Sequence, residues 1–483
     1  MPNKNTINSK QFNYEALDDA WAKSKVSVLD AMPGSGKTTA VTQYLKDKEL
    51  NHVLFVSPFK SEVEEELPKR KLKGLYYSHP KSGNGGKVTH LSNLIRFGDN
   101  STGNRLHRIT CTHSAFTRLT SEIFDQLGHY TLIIDEALDV IAQLDELRQY
   151  SDHILMNSGT VNSEKRYQFN DVSWFDAVHS SDKDVYNETG DGYKDTMFRL
   201  CQMASMNQLY RYSEGNWFRM LPIELITKAK RVIVMTHGFD NSFMHCWLKL
   251  HGIEHSKIDN TKLGLTSEEN LKNNLTANLN FIEPPRTIQK LAEGRRGYES
   301  LSVAHWKVLD KNGKIPDVSK ALNNLVKEKM LADKTNVFWT CPKYFRKDIE
   351  ANAYRLKGKI SLELPFEIAD TEFDDISELD DQKNGIEHSS WLPCNIKARN
   401  DFRHITNCLY AFSLNPPPAV LNLLEATSGL EKSEIEATFK LNNLLQFIFR
   451  GSIRENKPMN LCIIPQKTRA LLDNFLKTHW LQH

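Results

Sequence analysis

Residues Ala31 to Thr38 read Ala-Met-Pro-Gly-Ser-Gly-Lys-Thr, and their types and spacing suit a loop that wraps a polyphosphate. Gly34 and Gly36 let the backbone turn its amide hydrogens inward, Lys37 brings a point charge to the outer phosphates, and the Thr38 hydroxyl suits a magnesium ion. Asp135 and Glu136, which close the run Tyr130-Thr131-Leu132-Ile133-Ile134, offer the complementary chemistry. One carboxylate there can hold magnesium through its water shell, and its neighbour can orient and deprotonate a water for attack on a γ-phosphate. The expected ligands are therefore ATP and Mg2+. Ala31, Met32, Pro33, Gly34, Ser35, Gly36, Lys37, Thr38 and Thr39 would surround the nucleotide, Thr38 and Asp135 the metal, and Lys37, Asp135 and Glu136 would serve catalysis.

This chemistry requires elements that bring both groups to one edge. The apolar run Val26 to Asp30 predicts a buried parallel strand, and Thr39 to Leu45 predicts a helix, so the loop has the strand before it and the helix after it that it needs. Further strands are expected at His52–Ser57, Arg108–Cys111, Tyr130–Ile134 and Val232–Thr236, an α/β pattern. Residues 141–225 are longer than such a core requires and show no sustained strand pattern. A structureless loop of that size is improbable, so a partly helical insertion is expected there, able to steer a nucleic-acid strand or dock a protein partner. Strands expected near 275–282, 335–342, 405–412 and 459–465 make a second α/β domain, which divides the chain at 1–265 and 266–483.

Composition narrows the class of protein. The chain has 483 residues, 62 basic and 60 acidic, a formal charge of +2, so no global field announces nucleic acid and any such contact must come from a local groove. Seven cysteines stand apart with no CxxC pair, which argues against a zinc module or a disulfide framework and for a reducing, cytoplasmic setting. The N-terminus is too polar for a signal peptide, and no apolar run approaches the ~18 residues that span a bilayer. Residues 69–87 are basic and glycine-rich with Tyr76, Tyr77 and His79 interleaved; a solvated loop is the expected reading, a nucleic-acid loop the alternative.

With these residues in hand the chain resembles the superfamily 2 helicases and translocases, whose first RecA-like domain carries AxxxxGKT, here Ala31 to Thr38, and a DExx box, here Asp135 to Leu138. The resemblance implies two RecA-like P-loop NTPase domains with ATP held between them and nucleic acid, DNA favoured over RNA, running across both. It implies strand-end contacts to nucleic acid at Ser57, Pro58 and Lys60 and at Thr112 and His113, and a coupling motif at Thr236, where His237 and Gly238 depart from the family pattern. In the second domain, Asn400 and Arg403 look like the motif that meets both nucleic acid and nucleotide. Gln446, Arg450 and Arg454 look like the helix that presents arginines to the triphosphate, with Phe449 in place of the family's glycine and Arg454 one residue late. Spacing by four would keep all three on one helical face. A phage or mobile-element replication or repair enzyme is the niche the resemblance favours.

Two other function classes stay open on the sequence. A packaging-type ATPase with a metal-dependent nuclease in the second half would draw on the acidic run around Asp370, Asp374 and Asp375, although carboxylates in one loop are poor evidence for a two-metal site. A clamp or remodeller that uses ATP without unwinding would carry the same motifs.

Overall fold

The computed structural model describes residues 12–58, 60, 62–64, 67, 78–81, 86–99, 107–144, 159–163, 165–169, 200, 203–213, 216–293, 300–361, 387–394 and 402–477. Outside them lie most of the basic stretch 69–87, Arg295 and Arg296, the acidic run with Asp370, Asp374 and Asp375, and Asn400.

Val26–Asp30 (β1), His52–Ser57 (β2), His107–Thr112 (β3), Thr131–Asp135 (β4), Arg231–Thr236 (β5) and His255–Lys257 (β6) form one parallel sheet in the order β6-β1-β5-β4-β2-β3. The strands read as near-continuous apolar runs because both faces are covered. Alternate side chains serve two different cores: Leu54, Val56, Leu132, Ile134, Val232 and Val234 join one, while Val53, Phe55, Ile133, Ile233 and Met235 join the other.

Among its described residues, the segment after the DExx box consists chiefly of strands. Ile141–Gln143, Asn216–Met220 and Leu209–Ser213 pair in that order as an antiparallel sheet, and Gly159–Val161 pairs with Tyr167–Phe169. Among its described residues, helical backbone appears at 200 and 203–205. Periodicity hid these strands because they are only three or five residues long, and in Leu209–Ser213 and Asn216–Met220 both faces carry buried side chains. Tyr210, Phe218 and Met220 join the core of the large sheet, while Leu209 and Trp217 join a smaller core with Tyr167, Leu200 and Ala204.

In the second half, Leu279–Phe281 (β7), Phe338–Thr340 (β8), Asn407–Tyr410 (β9) and Met459–Ile463 (β10) form a parallel sheet in the order β7-β10-β9-β8. The strand expected from 275 begins at Leu279, because Ser267 caps a helix, Glu268–Asn278, that takes Leu275 into the core.

The chain divides into two compact units: Met1–Ala31, Lys37–Leu265 and Pro416–Ile435 form one, and Met32–Gly36, Thr266–Asn415 and Glu436–His483 form the other. The division is therefore less simple than two consecutive blocks. Within the first unit, the helix Pro418–Ser428 packs against Phe243–Leu250, placing Val420, Leu421, Leu423 and Leu424 in the core that holds Met244, Cys246 and Trp247. Each such buried aliphatic side chain contributes about 1.5–3 kcal/mol of transfer free energy. Pro418 at the start and Gly429 in left-handed backbone at the end fix that helix's limits.

Candidate nucleotide site

The sheet order puts the phosphate-loop strand and the DExx strand on either side of β5, all three running in the same direction. In register, Asp30 lies opposite Thr236, and Met235 lies opposite Asp135, so the three strands deliver their last residues to one edge. Backbone hydrogen bonds tie that edge together: the Ala31 amide donates to the Thr236 carbonyl at 3.0 Å, and the Glu136 amide donates to the Met235 carbonyl at 2.8 Å.

Gly34 and Gly36 adopt φ values of +82° and +100°, which glycine enters at no steric cost, and nothing stands within 4 Å of where a Cβ on Gly36 would be. Lys37 opens the helix Lys37–Lys48, is buried, and donates its ammonium to the Ala31 carbonyl across the loop. The Ser35 hydroxyl is buried without a protein partner among the described residues, a polar atom that a ligand oxygen could satisfy. Thr38 Oγ1 lies 3.5 and 3.4 Å from the two oxygens of Asp135. A hydroxyl beside a carboxylate supplies the few hard oxygen ligands magnesium takes from protein when phosphates and water complete its shell. The residues present therefore fit both ATP and Mg2+. Thr39 is exposed at the start of the helix.

Glu136 stands next in the chain with φ +63°, a left-handed conformation rare for a residue with a side chain. Such backbone costs on the order of 1–3 kcal/mol and persists where its surroundings over-determine it. Here the hydrogen bond from its amide to the Met235 carbonyl and the neighbouring strand end hold it. His113 Nε2 lies 2.9 Å from the Asp135 carbonyl, so this histidine braces the DExx strand end.

Two residues expected to meet nucleic acid are occupied otherwise. Ser57 is fully buried and donates its hydroxyl to Glu62 at 2.5 Å. Thr112 spends its side chain capping the helix His113–Phe116, accepting from the Ala115 amide at 3.2 Å. Pro58 and Lys60 are half-buried beyond β2. Thr236 is buried and acts through its carbonyl on Ala31.

In the second unit, Arg403 is 44% exposed by its side chain and pairs with Glu455 at 3.4 Å. Gln446 is half-buried on the helix Lys432–Ile448. That helix ends before Arg450, and Arg454 falls in a separate 3-10 turn, Ser452–Glu455, so the expected single face through Gln446, Arg450 and Arg454 does not exist. Between them Gly451 is extended, φ −82° and ψ −168°, and a Cβ there would meet Met459 Sδ at 2.5 Å and Phe338 at 2.9 Å. Arg450 is 3% exposed.

Asp30 is a site residue the motif reading passed over. Its carboxylate accepts from the Phe239 amide at 2.9 Å, fastening the loop after Thr236 to the end of the phosphate-loop strand. Its carbonyl accepts from Asn260 at 2.6 Å. The available signal was a carboxylate ending an apolar strand one residue before the loop. Burial raises its carboxyl above the ordinary carboxylate range, opposed by the Phe239 and Gly238 amides and by Lys257, and assisted by Asp240. A raised folded-state value means the fold binds this proton more tightly than the unfolded chain does, so stability falls as pH rises from the ordinary carboxylate value through the raised one. Asp30→Asn is expected to flatten that decline in a thermal-melting series across the acid range. An unchanged slope would remove Asp30 as its source.

A family model described as the YonV C-terminal Rossmann-like domain matches residues 278–476. The chain is 23% identical over 474 residues to the SPbeta prophage-derived uncharacterized protein YonV of Bacillus subtilis (strain 168), covering 94% of this chain and 99% of that one. Among solved structures it is similar to apo XPD, with TM-score 0.53 and 15% identity over 97% of this chain and 98% of that one. It is also similar to Xpd4 of S. tokodaii, with TM-score 0.52 and 12% identity over 97% of each. The likeness establishes the fold. It is mixed α/β with parallel sheets, matching the XPD-like fold of two RecA-like domains. Among the described residues no helix is long and apolar enough to cross a membrane, and the described cysteines are free and buried.

Proposed function

We propose that the chain hydrolyses ATP and couples hydrolysis to movement along, or strand separation of, nucleic acid, with DNA the favoured substrate. The observation that carries this reading is the Thr38 hydroxyl 3.4–3.5 Å from the Asp135 carboxylate, beside a loop with an unsatisfied buried Ser35 hydroxyl. The likeness of fold to XPD and the resemblance to superfamily 2 support the nucleic-acid part. The likeness to a prophage protein supports a phage-related setting.

The loop amides from Gly34 to Thr38 and the Lys37 ammonium would bind the phosphates. Thr38 and Asp135 would hold Mg2+, which when bound neutralises charge on the β- and γ-phosphate oxygens. Glu136, fixed by its left-handed backbone next to Asp135, would accept a proton from the attacking water. His113 and Asp30 position these groups: one braces the Asp135 carbonyl, the other fastens the loop after Thr236. Through these bonds a change at the nucleotide would reach the β5 strand end, where the family resemblance places coupling. The resemblance implies a charge-neutralising arginine at Arg450 or Arg454, of which Arg450 matches the family's sequence spacing from Gln446.

Binding of a labelled single strand is expected to weaken steeply with salt, because about 0.7 counterions are released per phosphate contact on single strands. ATP-dependent opening of a tailed duplex, absent with Glu136→Gln, would support the helicase form of the reading. Salt-sensitive binding and stimulated hydrolysis without strand opening would support translocation or clamping instead. Failure to bind any single strand or duplex at low salt would defeat the nucleic-acid reading.

A further inference from the structure

The second unit exposes an aromatic ring in an unusual setting. Strand β8 ends at Thr340, and the chain passes through Cys341 and Pro342 into the turn Lys343–Phe345 and the helix Arg346–Asn352. Tyr344, on that turn, is 79% exposed. Its neighbour Phe345 is buried and stacks on the fully buried Trp306, ring centroids 5.5 Å apart at 23°. Tyr344 and Phe345 lie edge to face, ring centroids 5.0 Å apart at 83°, so the exposed ring adjoins a buried aromatic neighbour. Among the described residues this edge contact is the only ring contact of Tyr344, and its outer face is open.

The other exposed apolar side chains of this unit differ. Tyr354 is 67% exposed, but Lys334 lies over its ring at 5.2 Å, and Leu331, 83% exposed, and Val303, 46% exposed, have no π face. Around Tyr344 the charge is distinctive. Lys343 and Lys347 are exposed, with no ion pair among the described residues, while Arg346 is spent on Glu350 at 3.0 Å and on the face of Trp391 at 5.1 Å. Asp348 is the one exposed acid of this turn and the helix's first residues. The turn also lies beyond the carboxyl end of a parallel strand, the edge where open α/β sheets receive ligands.

An exposed ring flanked in the chain by two exposed lysines with no ion pair among the described residues matches a nucleobase face flanked by its phosphates. We propose that Tyr344 is a stacking platform for a base of single-stranded nucleic acid, with Lys343 and Lys347 contacting the adjoining phosphates. Duplex bases hide their faces, so the platform selects single strands. This inference rests on the proposed function and adds to it a base contact that no strand-end motif supplies.

The test is equilibrium binding of a fluorescent oligothymidylate, and of a blunt duplex, to the full chain at several salt concentrations. Tyr344→Ala is expected to weaken single-strand binding by about 5- to 100-fold, the range of one base–aromatic stack, with duplex binding and thermal midpoint unchanged. Tyr344→Trp is expected to restore binding. Replacing both Lys343 and Lys347 with Ala is expected to lower the salt slope by about 0.7 for each lost phosphate contact. If the wild-type chain binds the single strand and Tyr344→Ala binds it as tightly, or Tyr344→Trp binds as weakly as Tyr344→Ala, the platform is overturned while the proposed function stands. If the wild-type chain binds the duplex but no single strand at low salt, the platform alone is overturned; if it binds neither, both are overturned.

Discussion

Glu136→Gln is expected to bind ATP with near wild-type affinity and to hydrolyse it about 10²- to 10⁴-fold more slowly, the scale of a positioned general base. The amide keeps the shape of the side chain and leaves the left-handed backbone and the Met235 hydrogen bond in place, so the phosphate loop and the Asp135 carboxylate are undisturbed. What it removes is the carboxylate's basicity, which takes the proton of water. Lys37→Ala should behave differently, losing affinity together with turnover, because the ammonium acts on the bound phosphates before and during reaction. Nucleotide binding by calorimetry and single-turnover hydrolysis separate the two. Wild-type turnover in Glu136→Gln would remove the base from the account.

The second large effect is expected at Arg450. A guanidinium that neutralises charge on the transferred phosphoryl group contributes roughly 10³-fold or more to hydrolysis, so Arg450→Ala should lose turnover on that scale and retain ATP binding. Arg450→Lys should recover little, since an ammonium cannot reproduce the planar, forked contact with phosphate oxygens. Arg450 is buried, so a purely structural role is the competing explanation, and it predicts a loss of thermal midpoint and ATP affinity together. Arg454→Ala, in its separate 3-10 turn, is the comparison. If it alone abolishes hydrolysis, the roles of the two arginines are reversed.

Local chemistry was the legible part of this sequence. That Ala31 to Thr38 and Asp135-Glu136 stand at the ends of buried parallel strands could be read because burial on both faces leaves apolar runs before them. What could not be read was tertiary occupancy. Ser57 looks available in sequence, yet its hydroxyl is spent on Glu62, and that of Thr112 is spent on a helix cap. Nothing local distinguishes a strand-end hydroxyl offered to a ligand from one offered to the protein. The helix through Gln446 was read too far, although Gly451 was in view. A glycine after a helical run marks its end, and here a close approach to Met459 and Phe338 leaves no room for a side chain. The short strands Leu209–Ser213 and Asn216–Met220 escaped notice because neither face is polar enough to alternate. Asp30 was missed because its partner, the Phe239 amide, lies 209 residues away in the chain.

The account stands most directly on steady-state ATP hydrolysis by the full chain, measured with and without a single-stranded oligonucleotide at low salt, with Glu136→Gln as the blank. It predicts hydrolysis well above the blank that rises on adding the single strand and loses that stimulation as salt increases. Turnover indistinguishable from the Glu136→Gln blank, or turnover unmoved by single strands and duplexes of either DNA or RNA, would contradict it.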